Sequence, residues 1–170
     1  MLTLVIGGAG SGKSAFAEEL VQQFPGKRIY LATLEARDPE SLDRIQRHRK
    51  QRAGTAFTTV ECGHGLDGLR VPAGADILLE DLSNLLANER YSPEGGGTAA
   101  VQRGLEHLLA YSGYLTVVTN EVFSDGIEYE EETLCFMRDL AALNRELAAR
   151  AELAVEVVCG LPNVLKGKLP

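Results

Sequence analysis

No stretch of this 170-residue sequence approaches the roughly 18 consecutive apolar residues that a membrane-spanning helix needs. The apolar opening, Leu2-Thr3-Leu4-Val5-Ile6, has no basic flank before it and runs directly into glycines. It therefore does not read as an export signal, and a cytoplasmic location is expected. Cysteine is scarce: Cys62, Cys135 and Cys159 are an odd number, separated by 73 and 24 positions. That spacing fits neither a disulfide framework nor a paired-cysteine zinc site, so three reduced thiols are expected. Positive charge is in deficit, 17 Lys and Arg against 24 Asp and Glu, a net −7, which disfavours stable binding to a nucleic-acid backbone. Internal repeats and low-complexity segments are also missing. Tryptophan is absent, with no functional consequence. What remains, at 45% hydrophobic and 24% charged, is an ordinary globular composition of one-domain length, expected to fold as a single unit over 1–170.

Short apolar runs alternate along the chain with stretches of helical spacing. Strands are predicted at Leu2–Gly7, Arg28–Thr33, Asp76–Glu80, Tyr114–Thr119 and Ala154–Cys159, with a short one at Phe57–Val60. Helices are predicted at Lys13–Phe24, stopped by Pro25-Gly26, and at Pro39–Gln51, Leu82–Glu89, Thr98–Tyr111 and Glu130–Ala151. Strands without polar alternation, separated by helices, imply a mostly parallel central sheet with helices on both faces, an α/β fold.

The segment Gly7-Gly8-Ala9-Gly10-Ser11-Gly12-Lys13-Ser14 satisfies the pattern G-x-x-x-x-G-K-[ST] between a buried strand and an amphipathic helix. Glycines allow backbone N–H groups to converge on phosphate oxygens, and the helix that follows points its positive end at the same anion. Lys13 is placed to reach the β- and γ-phosphates, and Ser14 to offer a hydroxyl to Mg²⁺. The fold expected is thus P-loop NTPase-like. Its metal-side carboxylate should close a nearby strand, and Ile77-Leu78-Leu79-Glu80-Asp81 supplies two candidates. Glu80 is favoured because it directly follows the apolar run; Asp81 reads equally well as a helix cap. A nucleoside triphosphate with Mg²⁺ is the ligand expected, held by Gly7, Gly8, Ala9, Gly10, Ser11, Gly12, Lys13, Ser14 and Glu80.

A second cluster is basic. Arg44-Ile45-Gln46-Arg47-His48-Arg49-Lys50-Gln51-Arg52 contains no acid. On a helix Arg44, His48 and Arg52 share one face. Flanking arginines favour neutral imidazole, the nucleophilic form, so His48 is a candidate phosphoryl or nucleotidyl acceptor. Arg44, Arg49 and Arg52 are the candidates to hold the triphosphate beside it. A solvated basic face with an incidental histidine is the competing account of the same residues. His64 and His107 read as structural.

With these residues in hand, the chain resembles the bifunctional adenosylcobinamide kinase/adenosylcobinamide-phosphate guanylyltransferase family of cobalamin biosynthesis. The resemblance rests on Leu4–Ser14, on Tyr30-Leu31-Ala32-Thr33 with Asp38, Glu40, Arg44-Ile45, His48-Arg49 and Arg52, and on Asp76–Glu80 with Ser83 and Asn88. It also rests on Thr119-Asn120-Glu121-Val122, on Arg138-Asp139, Asn144 and Leu147-Ala148, and on Gly160-Leu161-Pro162 with Leu165-Lys166. It implies that ATP or GTP phosphorylates a corrinoid alcohol, that GTP then donates GMP through His48, and that the protein is a homotrimer. The sequence departs from the family's usual pattern at Gly10 (usually Arg), Ser41 (usually Met), Glu80-Asp81 (usually Asp-Cys), Phe123–Glu128 and Cys135. A P-loop kinase without the guanylyl step, or an inactive nucleotide-binding paralogue, are the alternatives.

Overall fold

Strands that are apolar on successive residues need cover on both faces. In the computed structural model, which describes residues 1–35, 56–124 and 126–170, they receive it. β1 (Leu2–Gly7), β2 (Arg28–Ala32), β3 (Phe57–Glu61), β4 (Ala75–Glu80), β5 (Ser112–Asn120), β6 (Leu153–Val158) and β7 (Leu161–Lys166) form one sheet in the order β3-β2-β4-β5-β1-β6-β7. Every neighbouring pair is parallel except β6 and β7, which run antiparallel. Among the described residues the α-helices are α1 (Lys13–Val21), α2 (Leu82–Tyr91), α3 (Gly97–Tyr111) and α4 (Glu131–Arg150). The α/β fold with a mostly parallel sheet is therefore as the sequence led us to expect.

Side chains along each strand point alternately to two cores. Leu4, Ile77, Leu79, Leu115 and Val117 join Leu82, Leu85, Leu86, Leu105, Leu108, Leu140, Leu143 and Leu147, so α2, α3 and α4 cover one face. Val5, Leu78, Val118, Leu153 and Val155 join Ala17, Leu20, Val21 and Phe24, so α1 covers the other. Each fully buried leucine contributes about 1.5–3 kcal/mol through the area it withdraws from water.

Several boundaries shift by one or two residues and a 3-10 turn, Leu66–Gly68, was not expected; three differences bear on the packing. The periodicity of the first helix continues to Phe24, but the α-helix ends at Val21. The chain tightens there into Gln23 N–H to Leu20 O and Phe24 N–H to Val21 O bonds, and Phe24 remains buried, stacked on Tyr114. β7 was not expected: all six of its residues are exposed and it contains Pro162, so it carries no apolar signature and survives as an edge. β3, the opposite edge, is only half-covered and reaches Glu61 rather than Val60. The helix predicted over 39–51 lies outside the described residues. The three cysteines form no disulfide.

Leu79, fully buried one residue before the end of β4, tests this packing. Leu79→Ala is expected to lower unfolding stability by about 2–5 kcal/mol. A urea titration should show the midpoint falling with its slope unchanged.

Candidate active site

The glycine-rich loop leaves β1 at Gly7 and enters α1 at Lys13, at the carboxyl edge of the parallel strands. Its shape requires glycine where the backbone turns left-handed, at Gly10 (φ 70°) and Gly12 (φ 90°). A Cβ on Gly7 would come within 2.5 Å of Ser11 Oγ and 2.7 Å of the Val157 carbonyl, so the loop closes only over a bare Cα. No side chain caps α1 and its first turn carries no acid, which leaves the positive end of the helix to an external anion. Lys13 is buried and lies across the loop, its Nζ 3.2 Å from the Gly8 carbonyl.

Opposite stands the end of β4. Ser14 Oγ donates to Glu80 Oε1 at 2.6 Å. The other oxygen, Oε2, is enclosed and has no hydrogen-bond partner among the described residues. Burial first, then the Asp81 carboxylate, push Glu80 up to about 7, against the opposing effects of the Ser14 hydrogen bond and the Lys13 charge. A hydroxyl beside a carboxylate with an unused buried oxygen is the hard-oxygen donor set that suits Mg²⁺.

The neighbouring acid does something else. Asp81 Oδ1 accepts from Asn84 N–H at 2.8 Å and caps α2. Its backbone is fastened to the adjacent strand end: Thr33 Oγ1 accepts from Asp81 N–H at 2.8 Å and lies 2.8 Å from the Asp81 carbonyl. Asn120, closing β5, donates through Nδ2 to Ser83 Oγ at 3.1 Å and to Asp81 Oδ2 at 3.3 Å. The ends of β2, β4 and β5 are thus tied into one polar frame that holds Glu80 in place. Thr33 and Asn120 were not singled out as site residues by pattern. The signal available was a hydroxyl and an amide standing directly after apolar strand runs, the edge where such sheets bind ligands.

On the other side of the loop a cavity of about 330 Å³ is lined by Gly8–Ser11, Glu121, Glu156 and the residues 157–159. Gly7, Gly8, Ala9, Gly10, Ser11, Gly12, Lys13, Ser14 and Glu80 are therefore one constellation. His48, Arg44, Arg49 and Arg52 lie outside the described residues, as does Ser41. His64 Nδ1 is 3.2 Å from Glu35 Oε1, and His107 Nε2 is 2.7 Å from the Leu69 carbonyl, each tied to a local partner.

A mostly parallel sheet of this order, with a glycine-rich loop between its interior strand β1 and the first helix, defines a P-loop NTPase-like protein. In keeping with that, the crystal structure of the RadB recombinase superposes with a TM-score of 0.50 at 19% identity, covering 91% of this chain and 73% of that one, a likeness of fold alone. Residues 3–165 match the model of the cobinamide kinase / cobinamide phosphate guanyltransferase family. The bifunctional adenosylcobalamin biosynthesis protein CobU of Salmonella typhimurium is 35% identical, over 98% of this chain and 100% of that protein. The corresponding CobP of Pseudomonas aeruginosa is 32% identical over 99% of each chain, and CobU of Escherichia coli is 31% identical over 98% of this chain and 100% of its own. The chain belongs to the cobinamide kinase / cobinamide phosphate guanyltransferase family.

The raised Glu80 carboxyl gives a test by linkage. Its folded value, about 7, exceeds the ordinary 4.5. The stability it contributes is therefore complete below about pH 4.5 and is lost as pH rises through about 7. Glu80→Gln, which keeps an acceptor for Ser14 but cannot ionise, should melt with the parent protein at about pH 4 and roughly 5 °C above it at about pH 8. Scanning calorimetry of metal-free protein at both pH values checks this. Mg²⁺ should raise the melting temperature of the parent and leave that of Glu80→Gln unmoved.

Proposed function

We propose that this protein phosphorylates the alcohol of adenosylcobinamide with a nucleoside triphosphate and then transfers GMP from GTP to the resulting phosphate, using His48 as the guanylyl acceptor. The observation that carries the reading is the extent of the family match. Residues 3–165 match one model that names both activities, whereas a phosphate loop alone is common to many families. The chain is read as a single domain that works as a cytoplasmic homotrimer and takes no nucleic acid.

In the kinase step the loop N–H groups and Lys13 hold the β- and γ-phosphates, and the γ-phosphoryl group passes to the acceptor oxygen with no protein nucleophile. Ser14 and Glu80 would hold Mg²⁺, whose charge offsets that of the phosphates. In the second reaction the His48 imidazole attacks the α-phosphorus of GTP. A P–N bond forms, the P–O bond to the β-phosphate breaks, and pyrophosphate leaves. An oxygen of the acceptor phosphate then attacks the same phosphorus, the P–N bond breaks, and the GDP derivative departs with neutral imidazole restored. Arg44, Arg49 and Arg52 stabilise the charge on the departing pyrophosphate.

Two substitutions separate the steps. Lys13→Ala should reduce both activities by about 100-fold or more, because both begin with a triphosphate in the same loop. Near-normal GTP turnover by that variant would remove the loop from the mechanism. His48→Asn should abolish covalent labelling from α-labelled GTP, seen as the loss of one added GMP by mass spectrometry, while retaining most of the kinase activity. Equal loss of both activities would reduce His48 to a binding role.

A further inference from the structure

The last hairpin has no evident reason to exist as a core element, because every residue of β7 is exposed, Leu161 at 72%. Its turn, however, touches the glycine-rich loop. Val158 pairs with Leu161, so Cys159-Gly160 is a two-residue connection. Both residues have positive φ, 51° and 78°, which is the mirror-image turn that suits the twist of a hairpin. Glycine takes the second position freely, whereas cysteine at the first holds a conformation that side-chain-bearing residues rarely adopt.

The turn meets the loop in two ways. Gly160 N–H donates to the Ser11 carbonyl at 2.8 Å. The backbones also pack glycine against glycine: a Cβ built on Gly12 would lie 3.1 Å from Gly160 Cα. The strand feeding the turn closes from below, with the Val157 carbonyl occupying the space that a side chain on Gly7 would need. The loop is thus braced at Gly7, Ser11 and Gly12 by residues about 150 positions later in the chain, with the Ser11 carbonyl engaged by the Gly160 N–H.

We propose that the Cys159-Gly160 turn is a positioning element for triphosphate binding, holding the loop with its N–H groups converged before the nucleotide arrives. This rests on the reading that Gly7–Ser14 is the triphosphate site. The Cys159 side chain is not asked to touch the nucleotide; the conformation of the turn is what acts, by sparing the ligand the cost of ordering the loop. A methyl group on Gly160 would meet nothing within 4 Å, so Gly160→Ala perturbs the backbone preference without a clash.

The test is calorimetric binding of the β,γ-imido analogue of GTP, with Mg²⁺, to the full-length protein. Gly160→Ala should weaken binding about 5- to 20-fold, the factor expected of a left-handed penalty on an L-residue, with the stoichiometry unchanged. Cys159→Asn, whose side chain tolerates the turn, should bind within about twofold of the parent, and Cys159→Val should behave like Gly160→Ala. Unchanged affinity in Gly160→Ala overturns the proposal, and so does reduced stoichiometry at unchanged affinity, the mark of a merely structural role. Weakened binding by Cys159→Asn overturns it too, since the side chain and not the turn would then matter. Should Gly160→Ala fail to fold, the comparison of Cys159→Val with Cys159→Asn decides: equal affinity overturns the proposal. Lys13→Ala is the control on the underlying reading. Its loss of binding alongside an unaffected Gly160→Ala refutes only the turn, whereas retained binding by Lys13→Ala refutes the triphosphate site itself.

Discussion

The contact between Ser14 and Glu80, 2.6 Å long and spanning 66 positions of sequence, is the constraint around which the site is arranged. It joins the first turn of α1 to the last residue of β4, although β5 lies between β1 and β4 in the sheet. The junction forms because α1 does not sit above its own strand alone; it packs across β1, β4, β5 and β6. The apolar cluster of Ala17, Leu20, Val21 and Phe24 against Val5, Leu78 and Val118 fixes that crossing. The hydroxyl of Ser14 is then delivered to the carboxylate as a consequence of packing far from either group. The Thr33, Asp81, Ser83 and Asn120 frame plays the complementary part at the strand ends, since a buried carboxylate can be held in one place only if the backbone beneath it is fixed.

Legibility followed the range over which each signal acts. The loop was readable because its chemistry is local: eight consecutive residues with a strand before and a helix after. Glu80 was readable from its place at the end of a wholly apolar run, and the capping alternative for Asp81 was equally local, an acid three residues before Asn84. The two-sided cover of the sheet was readable because Ile77, Leu78 and Leu79 leave no polar face. What escaped depends on partners distant in sequence or on no burial at all. β7 offers no apolar pattern because nothing covers it, and Pro162 argues against a strand unless the strand is known to be an edge. The role of Thr33 needs the knowledge that β2 and β4 are neighbours, which no local pattern supplies. The contact of Gly160 with Gly12 needs β6 to lie beside β1.

The two reactions make different demands on one site. Phosphoryl transfer to an alcohol asks for a held triphosphate and an aligned hydroxyl, and on the proposed reading the constellation of Gly7–Ser14 with Glu80 does the holding. Guanylyl transfer through an enzyme-bound intermediate asks in addition for a nucleophile at the α-phosphorus. In that reading the side chains of the loop, Ser11, Lys13 and Ser14, are engaged with the phosphates and the metal. On the proposed reading the nucleophile comes from the arginine-rich segment around His48, a different part of the chain. One triphosphate seat can then serve both chemistries, each using the phosphorus atom it needs.

Charge raises a last problem. The chain is at −7, and the cavity beside the loop is lined in part by Glu121 and Glu156. A triphosphate adds several negative charges to these. Within the loop only Lys13 opposes them by formal charge, and the remainder must come from dipoles and from whatever occupies the oxygen donors at Ser14 and Glu80. Glu80 is poised for that exchange. Burial and the neighbouring Asp81 push its carboxyl up to about 7, so near neutrality the site carries only part of the charge that an ordinary carboxylate would bury there. Ser14 and Glu80 would be the residues that hold a divalent cation bound with the nucleotide, Glu80 giving up its proton to serve as a ligand. The same burial that makes ionised Glu80 costly in the free protein makes its attraction to a cation strong, because both effects follow from the low local dielectric. An acidic protein can therefore seat a polyanion here without a ring of arginines in the described part of the site, provided that the cation and the phosphates bind together.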